Sequence, residues 1–108
     1  MDASASGMFM IELMSTYIDK SQWVLDSGSP THTCNHLQGL QDIRQLAKGE
    51  VDIRVGNGAK VAALAVGKYS LGLTNGHVID LEDCYYVPSI TKNIISTSKL
   101  DFSGYELV

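Results

Sequence analysis

From residue 23 onward, the chain alternates short apolar runs with turn residues. Trp23-Val24-Leu25 is uninterrupted, as in a buried strand, whereas Val51 to Val55 alternates strictly, as in a half-buried strand. Asn57-Gly58 and Asn75-Gly76 are strong hairpin-turn signals. Further strands are predicted at residues 60–73, 77–81, 84–87 and 105–108. About six or seven short strands with regular turns predict an all-β fold, a small barrel or a sandwich.

The two ends of the chain follow different patterns. Residues 1–21 begin with small and polar residues and are predicted to be a flexible lead-in or an N-terminal strand. Phe9 to Met14 is too short for its period to separate a strand from a short helix. Asn93 to Leu100 combines an apolar pair with a segment that favours a short C-terminal helix. We therefore predict a lead-in over residues 1–21 and one folded domain over residues 22–108.

Composition narrows the class of protein. The 108 residues are 44% hydrophobic and 19% charged, which is typical of a single globular domain. The net charge of -4 argues against a nucleic-acid partner, and no apolar run reaches the roughly 20 residues that span a bilayer. Two cysteines are too few for a disulfide framework, so we expect a reduced, cytoplasmic protein without a membrane partner.

The triad Asp26-Ser27-Gly28 is the strongest candidate for chemistry. A carboxylate at the end of an apolar strand is costly unless it is hydrogen-bonded or has a function. Two such carboxylates held close together share one proton, so that one acts as base toward water and the other as acid. The structural alternative is a strand end with a local turn in which the aspartate side chain binds the backbone.

Two blocks of sequence resemble a known family. The first is Trp23-Val24-Leu25-Asp26-Ser27-Gly28-Ser29, followed by His32 and Cys34, and the second is Tyr85-Tyr86-Val87-Pro88 continuing to Asn93-Ile94-Ile95-Ser96. In this order and separation they are similar to the protease domain of copia-type retrotransposon Gag-Pol polyproteins. The resemblance covers about residues 22–108 and implies a small retropepsin-like acid-protease barrel with one short C-terminal helix.

The resemblance implies specific roles for three groups of residues. Asp26 would be the catalytic aspartate, Ser27 would brace the two active-site loops across a dimer, and Gly28 would let the substrate backbone pass. The hairpin Gly56-Asn57-Gly58 is similar to the flap that closes over bound peptide. The segment Ile94-Ile95-Ser96 corresponds to the residues that pack beneath the active-site loop.

The same resemblance implies a homodimer and a peptide substrate. The chain holds one Asp-Ser-Gly triad and no Asp-Thr-Gly triad, so the second carboxylate would come from another copy. The implied function is cleavage of the Gag-Pol polyprotein in the cytoplasm, including virus-like particles, without a metal or organic cofactor. Pro30 departs from the pattern, because proline has no N–H to offer the substrate just after the triad.

Two other functions fit parts of the sequence. An inactive or domesticated copy of the barrel would act as a peptide-binding or dimerisation module, with Asp26 only structural. A small zinc-binding module would use the His32-x-Cys34-x-His36 string, with Cys84 or His77 as the fourth ligand. The zinc-binding hypothesis is the weaker of the two, because the chain has no second pair of ligands at the spacing of zinc sites.

Overall fold

The structure, a computed structural model, describes residues 3–100, with side chains from Met8 to Leu100. Its elements are α1 (Ala3–Tyr17), β1 (Trp23–Asp26), β2 (His32–Cys34), β3 (Leu40–Gln45), β4 (Asp52–Arg54), β5 (Lys60–Ala62), β6 (Ala65–Gly72), β7 (Val78–Tyr86) and β8 (Asn93–Ser96). A single 3₁₀ turn, Thr97–Lys99, follows β8. This turn lies in the segment for which the sequence predicted a short C-terminal helix.

The strands form two sheets. A six-stranded sheet has the order β1-β8-β2-β7-β6-β3, and β4 and β5 form a separate two-stranded hairpin. The pairs β1–β8 and β2–β7 are parallel, whereas β2–β8, β3–β6 and β6–β7 are antiparallel. The all-β class is confirmed. Within residues 3–100 the large sheet is open, with β1 and β3 as its two edges.

Helix α1 corrects the predicted flexible lead-in or N-terminal strand. Met10 and Met14 on α1, and Ile18 directly after its end, recur every four residues and are all buried. They join the core that contains Trp23 and Leu81. Methionine, leucine and alanine are good helix formers, so a buried apolar stripe is enough to stabilise a helix in this segment. No helix within residues 3–100 has the combination of length and apolar character needed to cross a membrane.

Both predicted Asn-Gly turns are confirmed. Gly58 and Gly76 have φ angles of 84° and 91°, a region that glycine enters without the steric cost of a Cβ. Asn57 Oδ1 accepts a hydrogen bond from the N–H of Ala59 at 2.9 Å, and Asn75 Oδ1 accepts one from the N–H of His77 at 3.1 Å. The asparagine side chain therefore closes each turn locally.

The strands differ from the predicted ones in several places. Residues 60–73 divide into β5 and β6, while residues 77–81 and 84–87 largely merge into β7. In β7, Asp83 has a φ of 51°, at a shift in register between β6 and β7. Such a bulge lets one strand continue through a polar stretch that looks like a break. Strands β2 and β3 were not predicted, and β8 lies in the segment for which the sequence favoured an apolar pair and a short helix. The strand predicted at residues 105–108 lies outside the described residues.

Gly67 on β6 is required by the close approach of β3. A Cβ added at Gly67 would lie 2.5 Å from the backbone oxygen of Gln41, where the register between β3 and β6 shifts. We expect Gly67→Ala to lower the free energy of unfolding by about 1–3 kcal/mol or more, because a backbone atom must move to admit the methyl group. Thermal or urea denaturation of the two proteins measures this loss.

Gly72→Ala is the matched control on the same strand. A Cβ at Gly72 would meet no heavy atom within 4 Å. Alanine there only reduces the conformational freedom of the unfolded chain, so the free energy of unfolding should stay equal or rise by about 0.4–1 kcal/mol. Equal stability of both variants would show that β3 does not approach β6 in solution as closely as described.

Candidate active site

The Asp26-Ser27-Gly28 triad forms an exposed turn at the end of β1. Trp23 anchors the start of the strand in the core, whereas Asp26, Ser27 and Gly28 are all exposed. Asp26 Oδ1 accepts a hydrogen bond from the N–H of Gly28 at 2.8 Å. A Cβ at Gly28 would lie 3.3 Å from that oxygen, so glycine permits the tight turn. The turn holds one carboxylate oxygen and leaves the group accessible to solvent.

Strand β8 brings the predicted Ile94-Ile95-Ser96 segment alongside the triad. The parallel register pairs Val24 with Ile94, Leu25 with Ile95 and Asp26 with Ser96. Ile95 and Ser96 are fully buried, and Ile94 is half-buried. The sheet therefore joins two segments that are about 70 residues apart in sequence, a separation that no local pattern reveals.

Ser96 fastens the loop that follows the triad. Its Oγ donates a hydrogen bond to the backbone oxygen of Ser29 at 2.6 Å and lies 3.0 Å from the Oγ of Ser98. Ser29 Oγ in turn donates to the backbone oxygen of Thr31 at 2.7 Å. A residue with a small side chain and a hydroxyl fits this buried place, because a larger one would displace the loop and an apolar one would leave the Ser29 carbonyl without this partner.

His32 and Asn93 hold β8 in place beside the triad, a role that the sequence did not indicate for either residue. His32 is 2% exposed, and its Nδ1 accepts a hydrogen bond from the N–H of Ser96 at 3.0 Å. Asn93 Oδ1 accepts one from the N–H of Asn35 at 2.8 Å. The two bonds fasten β8 at both ends to the segment around β2. Their sequence signal is a polar residue inside or beside an apolar run, which indicates a buried polar contact but not its partner.

The environment of His32 favours the neutral ring. Burial lowers the pKa of His32 below its usual range, against opposing contributions from the Asp83 carboxylate and a hydrogen bond to the backbone at Lys99. Glu82, Asp83 and Lys99 line a shallow pocket that also includes Pro30 and His32. Pro30 itself is exposed at the rim of the triad loop.

The predicted flap lies on the β4–β5 hairpin, which is a separate sheet from the one that carries the triad. Residues 56–58 are exposed at the tip of the β4–β5 hairpin. The hydrogen bonds of the tip are local, from the N–H of Gly58 to the oxygen of Val55 at 2.8 Å and from Arg54 Nη1 to the oxygen of Gly58 at 3.2 Å. Among residues 3–100, no hydrogen bond joins the tip to the triad.

The residues of the zinc alternative have other contacts. Cys34 and Cys84 are fully buried on the adjacent strands β2 and β7. The hydrogen bond between them lowers the pKa of Cys34 and raises the pKa of Cys84, and burial raises the pKa of Cys84 further. The Nδ1 atom of His36 lies 2.9 Å from Asn35 Oδ1. In the part of the chain that the structure describes, no three His, Cys, Asp or Glu side chains are grouped to hold a metal ion.

The fold and the turn together define an all-β domain with an exposed Asp-Ser-Gly loop at the end of an edge strand. Residues 23–105 match the family model described as "Pol polyprotein, beta-barrel domain". The chain belongs to this family.

Two curated relatives agree with the family. The chain is 32% identical over 80 residues to the retrovirus-related Pol polyproteins from transposons RE1 and RE2 of Arabidopsis thaliana. The match covers 74% of this chain but 5% of each relative, so the chain corresponds to a small part of these polyproteins. No solved structure matches the chain significantly.

Proposed function

We propose that this domain is the aspartic endopeptidase of a copia-type Pol polyprotein and cleaves that polyprotein as a homodimer. The observation that carries the proposal is the geometry of Asp26. Its carboxylate stands exposed at the end of a core-anchored strand, in a turn held by the N–H of Gly28 at 2.8 Å. A carboxylate on a rigid element and open to solvent is suited to activate water.

The chemistry needs a second carboxylate close to the first. Two Asp26 side chains facing each other across a two-fold axis share one proton, because like charges at that distance do not both ionise. The unprotonated carboxylate takes a proton from water as the water attacks the peptide carbonyl. The protonated one donates to the carbonyl oxygen, which gives a tetrahedral diol. The carboxyl that took the proton from water then gives it to the amide nitrogen as the C–N bond breaks, and the other carboxylate takes back a hydroxyl proton as the new carboxyl group forms. No cofactor takes part in this scheme.

The position of β1 agrees with a symmetric dimer. Within residues 3–100, β1 is an edge of the six-stranded sheet, so the triad at its end is not enclosed by neighbouring strands of the same chain. An edge leaves backbone groups unpaired and open to another chain. In an isologous dimer, the same surface on each copy meets its mate, which brings the two triads together.

The β4–β5 hairpin is proposed to close over the substrate. Its tip is exposed and contains Gly56 and Gly58, and Asn57 sits between them. An extended peptide lying under such a hairpin would be bound through backbone hydrogen bonds, with side-chain pockets providing specificity. The proposed setting is the cytoplasm, including virus-like particles in which the polyprotein is concentrated.

The test is digestion of a mixed peptide library by the chain at graded concentrations, between about pH 4 and pH 7. Sedimentation velocity on the same samples gives the fraction of dimer. We expect cleavage whose specific rate rises with the dimer fraction, since one chain supplies one carboxylate. Absence of cleavage in a sample that is fully dimeric would contradict the enzyme function.

The second candidate is a peptide-binding or dimerisation module without catalysis. Pro30 favours it, because the exposed loop after the triad has no N–H at this position for a substrate backbone. A lost backbone hydrogen bond costs about 0.5–1.5 kcal/mol, which weakens binding more readily than it stops chemistry. A dimer that binds library peptides and releases them uncut would identify this function.

A further inference from the structure

His32 is a buried titratable side chain that the proposed chemistry does not use. It is 2% exposed, and its Nδ1 accepts the N–H of Ser96 at 3.0 Å. A backbone N–H can only donate, so Nδ1 must be unprotonated for this bond to form. The ring is therefore neutral, with its proton on Nε2.

Ser96 carries the effect of His32 to the triad loop. Its N–H is held by His32, and its Oγ donates to the backbone oxygen of Ser29 at 2.6 Å. Ser29 directly follows the triad, and its N–H lies 3.4 Å from the backbone oxygen of Asp26. Because Ser96 and His32 are both buried, water does not readily replace either bond.

We propose that neutral His32 is a positioning residue, which orients Ser96 and thereby sets the conformation of the loop from Asp26 to Ser29. In the proposed protease, the role of His32 would be to fix each Asp26 carboxylate in line with its mate. That last step rests on the proposed function, whereas the control of loop conformation does not.

Protonation of His32 would break the arrangement. A proton on Nδ1 would point at the N–H of Ser96, so two donors would face each other. The charged groups around the ring are Asp83 and Glu82 on β7 and Lys99 in the 3₁₀ turn, and Cys84 lies opposite His32 in the parallel register. The Asp83 carboxylate favours protonation, but burial is the larger influence on the pKa and opposes it.

Two substitutions separate the acceptor at Nδ1 from the rest of the ring. In His32→Asn, the side-chain oxygen can stand near the place of Nδ1 and accept the N–H of Ser96. In His32→Gln, the amide reaches toward the place of Nε2 and leaves that N–H without an acceptor. A third variant, Ser96→Ala, keeps the N–H bonded to His32 but removes the bond from Oγ to Ser29.

The first readout is NMR, which does not depend on catalysis. In the wild-type protein, ¹⁵N shifts of the imidazole should report an unprotonated Nδ1 and a protonated Nε2. Amide shifts of Ser27, Gly28 and Ser29 should stay near wild type in His32→Asn and move in His32→Gln. In Ser96→Ala the loop amides should move while the His32 tautomer stays unchanged.

The second readout is cleavage by dimeric samples. We expect kcat to fall roughly 100-fold in His32→Gln with little change in KM, because misplaced catalytic groups slow the chemical step. His32→Asn should recover most of this loss. An Nδ1-protonated ring in the wild type, or loop amides that do not respond to His32→Gln, would overturn the proposal.

A variant that does not fold and a wild-type protein that does not cleave peptides test different parts of the proposal. If both His32 variants unfold, the wild-type protein is tested instead, by its imidazole tautomer and by NMR during an acid titration. Loop amides that shift together with protonation of the ring support the proposal, and loop amides that stay fixed refute it. If the wild type is dimeric but does not cleave, the proposed protease fails, while the NMR result on the loop stands by itself.

Discussion

Asp26→Asn is expected to abolish peptide cleavage, with kcat falling by about 10²–10⁴-fold or more. Asparagine keeps an oxygen that can accept the N–H of Gly28, so the turn and the fold should survive. The amide cannot take a proton from water or share one with the opposite carboxylate, so the acid–base pair is lost. The measurement is the rate of digestion of a cleaved library peptide by dimeric wild-type and variant samples.

Asp19→Asn is the matched control for the loss of charge. Asp19 is also exposed, and its Oδ1 also accepts the N–H of the residue two positions later, Ser21, at 3.0 Å. Its hydrogen bonds to Ser21 lower the pKa of Asp19. We expect this variant to cleave like the wild type. Cleavage by Asp26→Asn at the same rate as Asp19→Asn would place the catalytic group elsewhere.

Met14→Ala is expected to lower the free energy of unfolding by about 2–5 kcal/mol. Met14 is 0% exposed and packs in the main core, so truncation leaves a cavity. Alanine is the best helix former, and the loss would therefore come from packing and not from helix propensity. Urea denaturation followed by tryptophan fluorescence suits the measurement, since Trp23 belongs to the same core.

Met8→Ala provides the comparison on the same helix. Met8 is 64% exposed, so its truncation should change the stability by less than about 0.5 kcal/mol. A small effect at both positions would mean that α1 does not pack on the sheet in solution. A large effect at Met14 alone would show that residues before position 22 are part of the folded unit.

The packing of α1 affects how the proposed function is tested. The predicted boundary between residues 21 and 22 separates Met14 and Ile18 from Trp23, yet the three lie in one core. A chain shortened to that boundary would expose this apolar surface. Activity and dimer measurements therefore require the chain with α1 present, because inactivity of a shortened chain would report on stability and not on catalysis.

Local elements of the site were predictable from the sequence because short-range chemistry determines them. The Asp-Ser-Gly turn needs an acceptor side chain, a glycine two residues later and an apolar strand before them, and all three are adjacent in the chain. The Asn-Gly turns at residues 57–58 and 75–76 follow in the same way. The alternation at Val51 to Val55 likewise reports one exposed and one covered face.

Strand β3 could not be predicted from the local sequence. All its residues but Leu40 are exposed, so no apolar alternation marks it, and its pairing with β6 decides that it is a strand. Helix α1 is similar. Its apolar residues fit either a short helix or a strand, and only their packing in the core shows that the segment is a helix with one buried face. In both segments, contacts distant in sequence outweigh weak local preference.

The sequence by itself determined the class of fold, the turns and the candidate carboxylate, since these depend on neighbouring residues. Only the tertiary structure decided that β8 lies parallel to β1, that Ser96 bonds to Ser29, and that His32 holds Ser96. Each of these contacts joins residues more than 60 positions apart. Such contacts depend on how the whole chain shares one buried core and satisfies its buried polar groups, which no local pattern encodes.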